Sequence, residues 1–143
     1  GPLFQGLRLI EGSSAAGLVA RTESAPAPSS WIRKPLRNAW ITDPLAIDAA
    51  LQAIIVWGVR HAGSPSLPCA VDSYRQFQRS FPAGGVRIVL RPVQRTSQTL
   101  TADVDLLDDQ GALIAVMRGC QFVLDEGLRR AFRKNRLAQP VLG

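Results

Sequence analysis

The chain of 143 residues contains few cysteines, and its apolar runs are short. Cys69 and Cys120 are too few for a disulfide framework, and neither lies in a CxxC pair of the kind that binds zinc. We therefore expect no metal site and a reducing, cytoplasmic setting. No apolar run reaches the ~20 residues that a membrane span needs, and the first residues lack the pattern of a secretory signal. The sequence thus predicts neither a disulfide-stabilised protein nor a membrane protein.

Acidic residues are also in the minority, with 11 Asp and Glu against 17 Lys and Arg and a formal net charge of +6. A basic balance favours acidic partners, although arginines that merely solvate the surface are an equally good reading. The basic residues are spread along the chain except for the stretch LRRAFRKNR near its end. No signature of a nucleic-acid-binding module is present. We therefore expect no nucleic-acid partner.

The length fits one domain with a substantial core. We predict a folded unit over residues 1–125 and a basic helix or linker over residues 126–143, where Leu128, Ala131, Phe132 and Arg136 have helical spacing. The positive charge of this tail suits either docking of an acidic partner or simple exposure to solvent. Both alternatives remain open.

The chain contains one strongly apolar stretch with a clear helix start. Asp43 is a good N-cap and Pro44 fits the first helical position, while Gly63 and Pro65 end the pattern after about 18 residues. Because this helix is apolar on nearly every side, we expect the fold to wrap it.

The flanking segments read as strands. Two short strands surround a Gly/Ser turn in LRLIEGSSAAGLVART, a further strand covers LPCAVDSYRQF, and alternating apolar residues mark VRIVLRPV. A hairpin follows from TLTADV to QFVL around the turn DDQG. The predicted fold is therefore α+β, a single hot-dog fold in which an antiparallel sheet wraps around one long central helix. A plain α+β sandwich is the alternative.

Asp48 and Gln52 are the only two residues between Leu45 and Val59 that are neither apolar nor glycine. They are four residues apart, so on a helix they lie on the same face. An unpaired carboxylate in apolar surroundings is costly to ionise, and an acid kept partly protonated can give a proton to a leaving oxygen. Gln52 can hydrogen-bond both the acid and a substrate hydroxyl. The alternative is a structural carboxylate bonded to a neighbouring backbone.

Four stretches resemble the dehydratase domains of polyketide synthases. DPLAIDAALQ resembles their Asp-containing D-x-x-x-Q/H motif, and GPLFQGL resembles the stretch that opens their C-terminal half. LPCAV resembles one of their strands, and VDLLDDQGALIAVMRGCQF resembles their closing hairpin. The resemblance covers roughly residues 1–125 in the right order. Dehydratases of polyunsaturated fatty acid synthases are similar.

The resemblance implies the C-terminal, Asp-bearing hot-dog of a β-hydroxyacyl-carrier-protein dehydratase, in polyketide or fatty acid biosynthesis. Asp48 would protonate the departing β-hydroxyl to give an enoyl thioester, and Gln52 would orient it. A histidine on an N-terminal hot-dog would remove the α-proton. No metal or soluble cofactor is implied, because the substrate arrives on the phosphopantetheine arm of an acyl carrier protein.

The histidine motif of that family is absent from these residues. The only histidine, His61, follows Asp48 by 13 residues, or about 20 Å along a helix. We expect it to face the helix dipole or solvent, and we expect Cys69 to be a small buried hydrophobe. The chain therefore needs a His-bearing hot-dog partner and is expected to be inactive alone. A free strand edge also predicts a homodimer in isolation. A non-catalytic acyl-binding pseudo-dehydratase and a single hot-dog acyl thioesterase are the alternatives.

Overall fold

The computed structural model describes residues 2–128 and 130 and contains a six-stranded antiparallel sheet with one main helix. Two short 3-10 turns, Pro2–Phe4 and Pro28–Ser30, flank the first hairpin. The main elements are β1 (Leu7–Ser14), β2 (Gly17–Thr22), α1 (Pro44–Trp57), β3 (Ser66–Gln76), β4 (Val86–Arg95), β5 (Thr99–Leu107) and β6 (Leu113–Leu124). Each predicted strand is confirmed, and so is the predicted α+β hot-dog class.

The strand order across the sheet is β1-β2-β4-β5-β6-β3, and every neighbouring pair is antiparallel. The chain leaves the sheet after β2 and re-enters it at the far edge as β3, so α1 lies in the crossover between them. The crossover brings the helix into contact with β1, β2, β4 and β3. The two edges of the sheet are therefore β1 and β3.

Helix α1 begins where the sequence predicts. The Asp43 side chain accepts a hydrogen bond from the Ala46 N–H at 2.9 Å, and Pro44 occupies the first turn. A π-helical turn, Gly58–Ala62, continues the helix to Gly63, which adopts a left-handed conformation (φ 73°) that glycine tolerates. By length and composition alone, the 19 residues of Pro44–Ala62 could span a membrane. Core helices pass the same test, and this helix packs on the sheet.

The core lies between one side of α1 and the inner face of the sheet. The helix contributes small residues that allow close approach to the strands, namely Ala46, Ala49, Ala50 and Ala53, each fully buried. The alternation predicted for β4 and β5 is confirmed, because the following side chains are buried: Val86, Ile88, Leu90, Leu100, Ala102, Val104 and Leu106. Leu18 and Ala20 of β2 are buried beside them.

The opposite side of α1 is not wrapped as expected. Ile47, Leu51 and Ile55 are only half-buried, and Val59 is 46% exposed. The reason is geometric, since a single curved sheet covers one side of a helix and a second layer is needed to cover the other. The sequence shows that the helix is apolar all round but not which side the sheet takes.

Two further expectations concern the edges of the fold. Cys69 is exposed, because it lies on edge strand β3, and the expectation that it is buried is wrong. The predicted tail over residues 126–143 falls mainly outside the described residues, including Ala131, Phe132 and Arg136.

Candidate functional site

The predicted pair of Asp48 and Gln52 lies in the second and third turns of α1, on its half-buried side. The Gln52 Nε2 donates to Asp48 Oδ2 at 2.5 Å and also to the Phe4 carbonyl oxygen at 2.9 Å. The amide is therefore held between the carboxylate and the N-terminal segment. The helix spacing of four residues brings the pair together, as the sequence predicts.

The Asp48 carboxylate is neither sealed nor bonded to backbone. It is half-buried, and its Oδ1 atom has no hydrogen-bond partner within residues 2–128 and 130. One oxygen is thus oriented by Gln52 while the other remains available to a bound molecule. The carboxylate thus differs from one whose two oxygens are both bonded to neighbouring backbone.

Phe4 also contributes to the surroundings of Gln52, although the sequence did not predict this contact. Its carbonyl oxygen fixes Gln52, and its ring packs on Trp31 with the ring centroids 5.3 Å apart. Trp31 in turn packs on Trp40 at 5.8 Å. The signal was present in the stretch GPLFQGL, which contains Phe4, but a backbone acceptor has no sequence signature of its own.

His61 belongs to a different part of the molecule from Asp48. Its ring stacks on Trp57 with centroids 5.2 Å apart, and its Nε2 lies 2.9 Å from the Ser13 hydroxyl. Its carbonyl accepts a hydrogen bond from the Arg95 guanidinium. The described residues therefore hold no histidine beside Asp48, in agreement with the separation expected from the sequence.

The two cysteines differ from Asp48 in their surroundings. Burial raises the pKa of the Cys120 thiol to about 11, so this group stays protonated at neutral pH. Cys69 Sγ contacts the Gln121 carbonyl at 3.3 Å on the exposed edge strand. Among the residues that the structure describes, no group of three His, Cys, Asp or Glu side chains could hold a metal ion.

The antiparallel sheet and its single central helix define the class of the protein as a hot-dog fold. The solved structures that resemble it include a dehydratase domain of a mycocerosic acid synthase-like polyketide synthase, at 25% identity and TM-score 0.68, covering 86% of this chain and 42% of that one. The RzxB dehydratase domain from Pseudomonas fluorescens matches at 20% identity and TM-score 0.67, covering 85% and 42%.

A thioesterase from Staphylococcus aureus has a similar fold, at 15% identity and TM-score 0.63, covering 82% of this chain and 92% of that chain. A search of curated proteins finds no significant match. The chain thus spans less than half the length of these dehydratase domains and nearly the whole length of the thioesterase.

The family model described as the polyketide synthase dehydratase N-terminal domain matches residues 1–124. The chain therefore belongs to the polyketide synthase dehydratase family. The description of that model names the N-terminal domain, so the predicted position in the C-terminal half is not confirmed.

Proposed function

We propose that the chain is the Asp-bearing, C-terminal hot-dog half of a β-hydroxyacyl-carrier-protein dehydratase. The observation that carries this proposal is the Asp48 carboxylate, which Gln52 orients through one oxygen while the other stays open on the half-exposed side of the helix. A half-site is a site that holds the aspartate while a second hot-dog supplies the histidine. The described residues place no histidine beside Asp48, which is consistent with such a half-site. The membership of the family and the coverage of less than half of its solved domains support a dehydratase half without deciding which half it is.

In the proposed reaction, a histidine on a second hot-dog removes the α-proton of the β-hydroxyacyl thioester. The electron pair forms the Cα–Cβ double bond, and the Cβ–O bond breaks. Protonated Asp48 gives its proton to the departing hydroxyl, which leaves as water, so that Asp48 ends as a carboxylate. Gln52 keeps the carboxyl group in position, and the substrate is held on the phosphopantetheine arm of an acyl carrier protein.

The proposed partner, a His-bearing hot-dog or a second copy of this chain, would cover the open side of α1. Ile47, Leu51 and Ile55 on this side are only half-buried. Strand β3 pairs with β6 on one side, and its outer edge has no strand partner among residues 2–128 and 130 and carries the exposed side chains of Val71 and Tyr74. Covering both surfaces would remove apolar area from water and enclose Asp48 between two layers, where a proton donor works best.

The test is a dehydration assay on a β-hydroxyacyl carrier protein. The 143-residue chain is assayed alone and after co-expression with the His-bearing half of a dehydratase domain. We expect turnover only in the combination, and a loss of about 100-fold or more in Asp48→Asn, the scale of general acid catalysis. Asp125→Asn is the matched control, because this exposed carboxylate bonds only the Gly127 N–H among the residues that the structure describes.

Gln52→Ala separates positioning from catalysis. It leaves the carboxyl group in place but removes the donor that orients it, so kcat should fall by about 10-fold with little change in KM. Robust dehydration by the chain alone would contradict the half-site. Hydrolysis of acyl-CoA by the chain alone that is abolished in Asp48→Asn would instead indicate a single hot-dog thioesterase. Acyl binding without either activity would indicate a pseudo-dehydratase.

A further inference from the structure

A groove of about 530 Å³ lies along the segment that connects β2 to α1. Its walls are almost wholly apolar and include Ile32, Leu36, Trp40 and Ile41. Leu36 is fully exposed and Ile41 is 67% exposed, so these side chains face solvent instead of the core. Large aliphatic side chains grouped on a surface commonly mark a binding site.

The walls of this groove are fixed by hydrogen bonds from several elements. Buried Asp43 joins the two ends of the connector, because its Oδ2 accepts from the Ala25 N–H at 2.8 Å while its Oδ1 caps the helix. The Trp40 Nε1 donates to the Pro26 carbonyl oxygen at 2.7 Å. The Gln76 side chain donates to the Ile41 carbonyl at 3.0 Å from strand β3. These bonds hold Trp40 and Ile41 in place, which lowers the entropic cost of binding against them.

The groove carries positive charge. Lys34 and Arg37 line it, and no acidic residue does. Neither cation forms an ion pair with any residue in the described part of the chain, whereas arginines of the sheet such as Arg21 and Arg91 pair with carboxylates. An apolar surface beside two unpaired cations is complementary to a molecule with an aliphatic body and an anionic end.

We propose that the groove binds an aliphatic carboxylate of fatty-acid type. The alkyl chain lies on Ile32, Leu36 and Trp40, and the carboxylate meets Lys34 and Arg37. The volume is within the range of about 300–1,000 Å³ typical of small-molecule sites, so a ligand of this size fits the groove. The site is separate from the proposed half-site, since neither Asp48 nor Gln52 lines the groove, although Pro44 does.

The test is calorimetric titration of the 143-residue chain with hexanoate, octanoate and decanoate, with 1-octanol as the neutral match for octanoate. We expect the Kd to fall by up to about four-fold for each added CH₂, the value that its transfer from water implies. Octanoate should bind at least 10-fold more tightly than 1-octanol. The double variant Lys34→Glu/Arg37→Glu should lose this advantage while its affinity for 1-octanol stays within two-fold.

The control variant is Arg60→Glu/Arg75→Glu, which makes the same charge change at exposed arginines outside the groove. It should bind octanoate as the unmodified chain does. The proposal would be overturned if the double variant Lys34→Glu/Arg37→Glu bound octanoate as tightly as the unmodified chain. It would also be overturned if the Kd did not depend on the length of the alkyl chain, or if light scattering showed a dimer and that dimer bound no octanoate.

The outcome is distinguishable from that of the dehydratase proposal. Asp48→Asn should retain octanoate binding, because Asp48 lies outside the groove, and loss of binding there would also overturn the inference. Octanoate binding without Asp48-dependent dehydration would leave the groove intact and refute only the proposed function. Asp48-dependent dehydration without octanoate binding would support the proposed function and refute only the groove proposal.

Discussion

Replacing Asp43 with alanine tests how the connector and the helix are held together. This side chain is 4% exposed, and its two oxygens accept hydrogen bonds from different segments. One caps the helix at Ala46, at 2.9 Å, and the other holds the N–H of Ala25, at 2.8 Å. The alanine variant loses both bonds at once.

The magnitude follows from the two bonds. Loss of an N-cap carboxylate costs about 1 kcal/mol, and leaving the half-buried Ala25 N–H without its acceptor costs about 1 kcal/mol more. We therefore expect Asp43→Ala to lower the free energy of unfolding by about 2 kcal/mol. Asp43→Ser should lose only about half as much, because the shorter hydroxyl can still cap the helix but does not reach Ala25.

The measurement is urea unfolding followed by circular dichroism. With an m-value of about 2 kcal/mol/M for a domain of this size, the midpoint should shift by roughly 1 M in the alanine variant and 0.5 M in the serine variant. A change below about 0.5 kcal/mol in Asp43→Ala would refute the reasoning. Equal losses in the two variants would show that the Ala25 bond contributes nothing to the free energy of unfolding.

Two further predictions concern a turn and an ion-pair cluster. Gly85 has φ 91° and an added Cβ would clash with the Thr22 carbonyl oxygen, whereas Gly111 has φ 81° with open space around it. In urea titrations, Gly111→Ala should lower the free energy of unfolding by about 1 kcal/mol through backbone strain, and Gly85→Ala should lower it by at least about 2 kcal/mol more. Equal losses in the two variants would show that the clash at Gly85 is relieved. Hydrogen bonds from Arg21 and then Arg87 lower the pKa of the Glu11 carboxyl below its usual 4.5. The stabilisation from these ion pairs is therefore present above about pH 4.5 and is lost as the pH falls through the lowered pKa of Glu11. The difference in the free energy of unfolding between the native chain and Glu11→Gln should therefore shrink from pH 6 to pH 3. A difference that does not vary with pH would contradict this.

The local features of the fold could be read from the sequence. The start of α1 depends on Asp43 and Pro44, whose effects reach only a few residues along the chain. The strands depend on alternation such as that of Val86 and Ile88, which are buried as predicted. The contact of Asp48 with Gln52 follows from helical spacing alone.

Cys69 shows where the same reasoning fails. A short apolar stretch suggests a buried strand, but β3 lies at the edge of the sheet and is exposed along nearly all of its length. Sequence periodicity records which residues can face a core, whereas burial depends on which strands become neighbours. The order β1-β2-β4-β5-β6-β3 contains a crossover that no local pattern encodes.

The sequence by itself thus determined the elements and the carboxylate with its amide, because these depend on residues within one or two turns of each other. The hot-dog class followed from the order of the strands around one helix that is apolar on nearly every side. Only the tertiary structure decided that the Phe4 carbonyl holds Gln52 from 48 residues away, that His61 bonds Ser13, and that one side of the helix stays open. It also decided that the connector forms a basic, apolar groove. These contacts join residues far apart in the chain, and they exist only once the sheet has fixed where each segment lies.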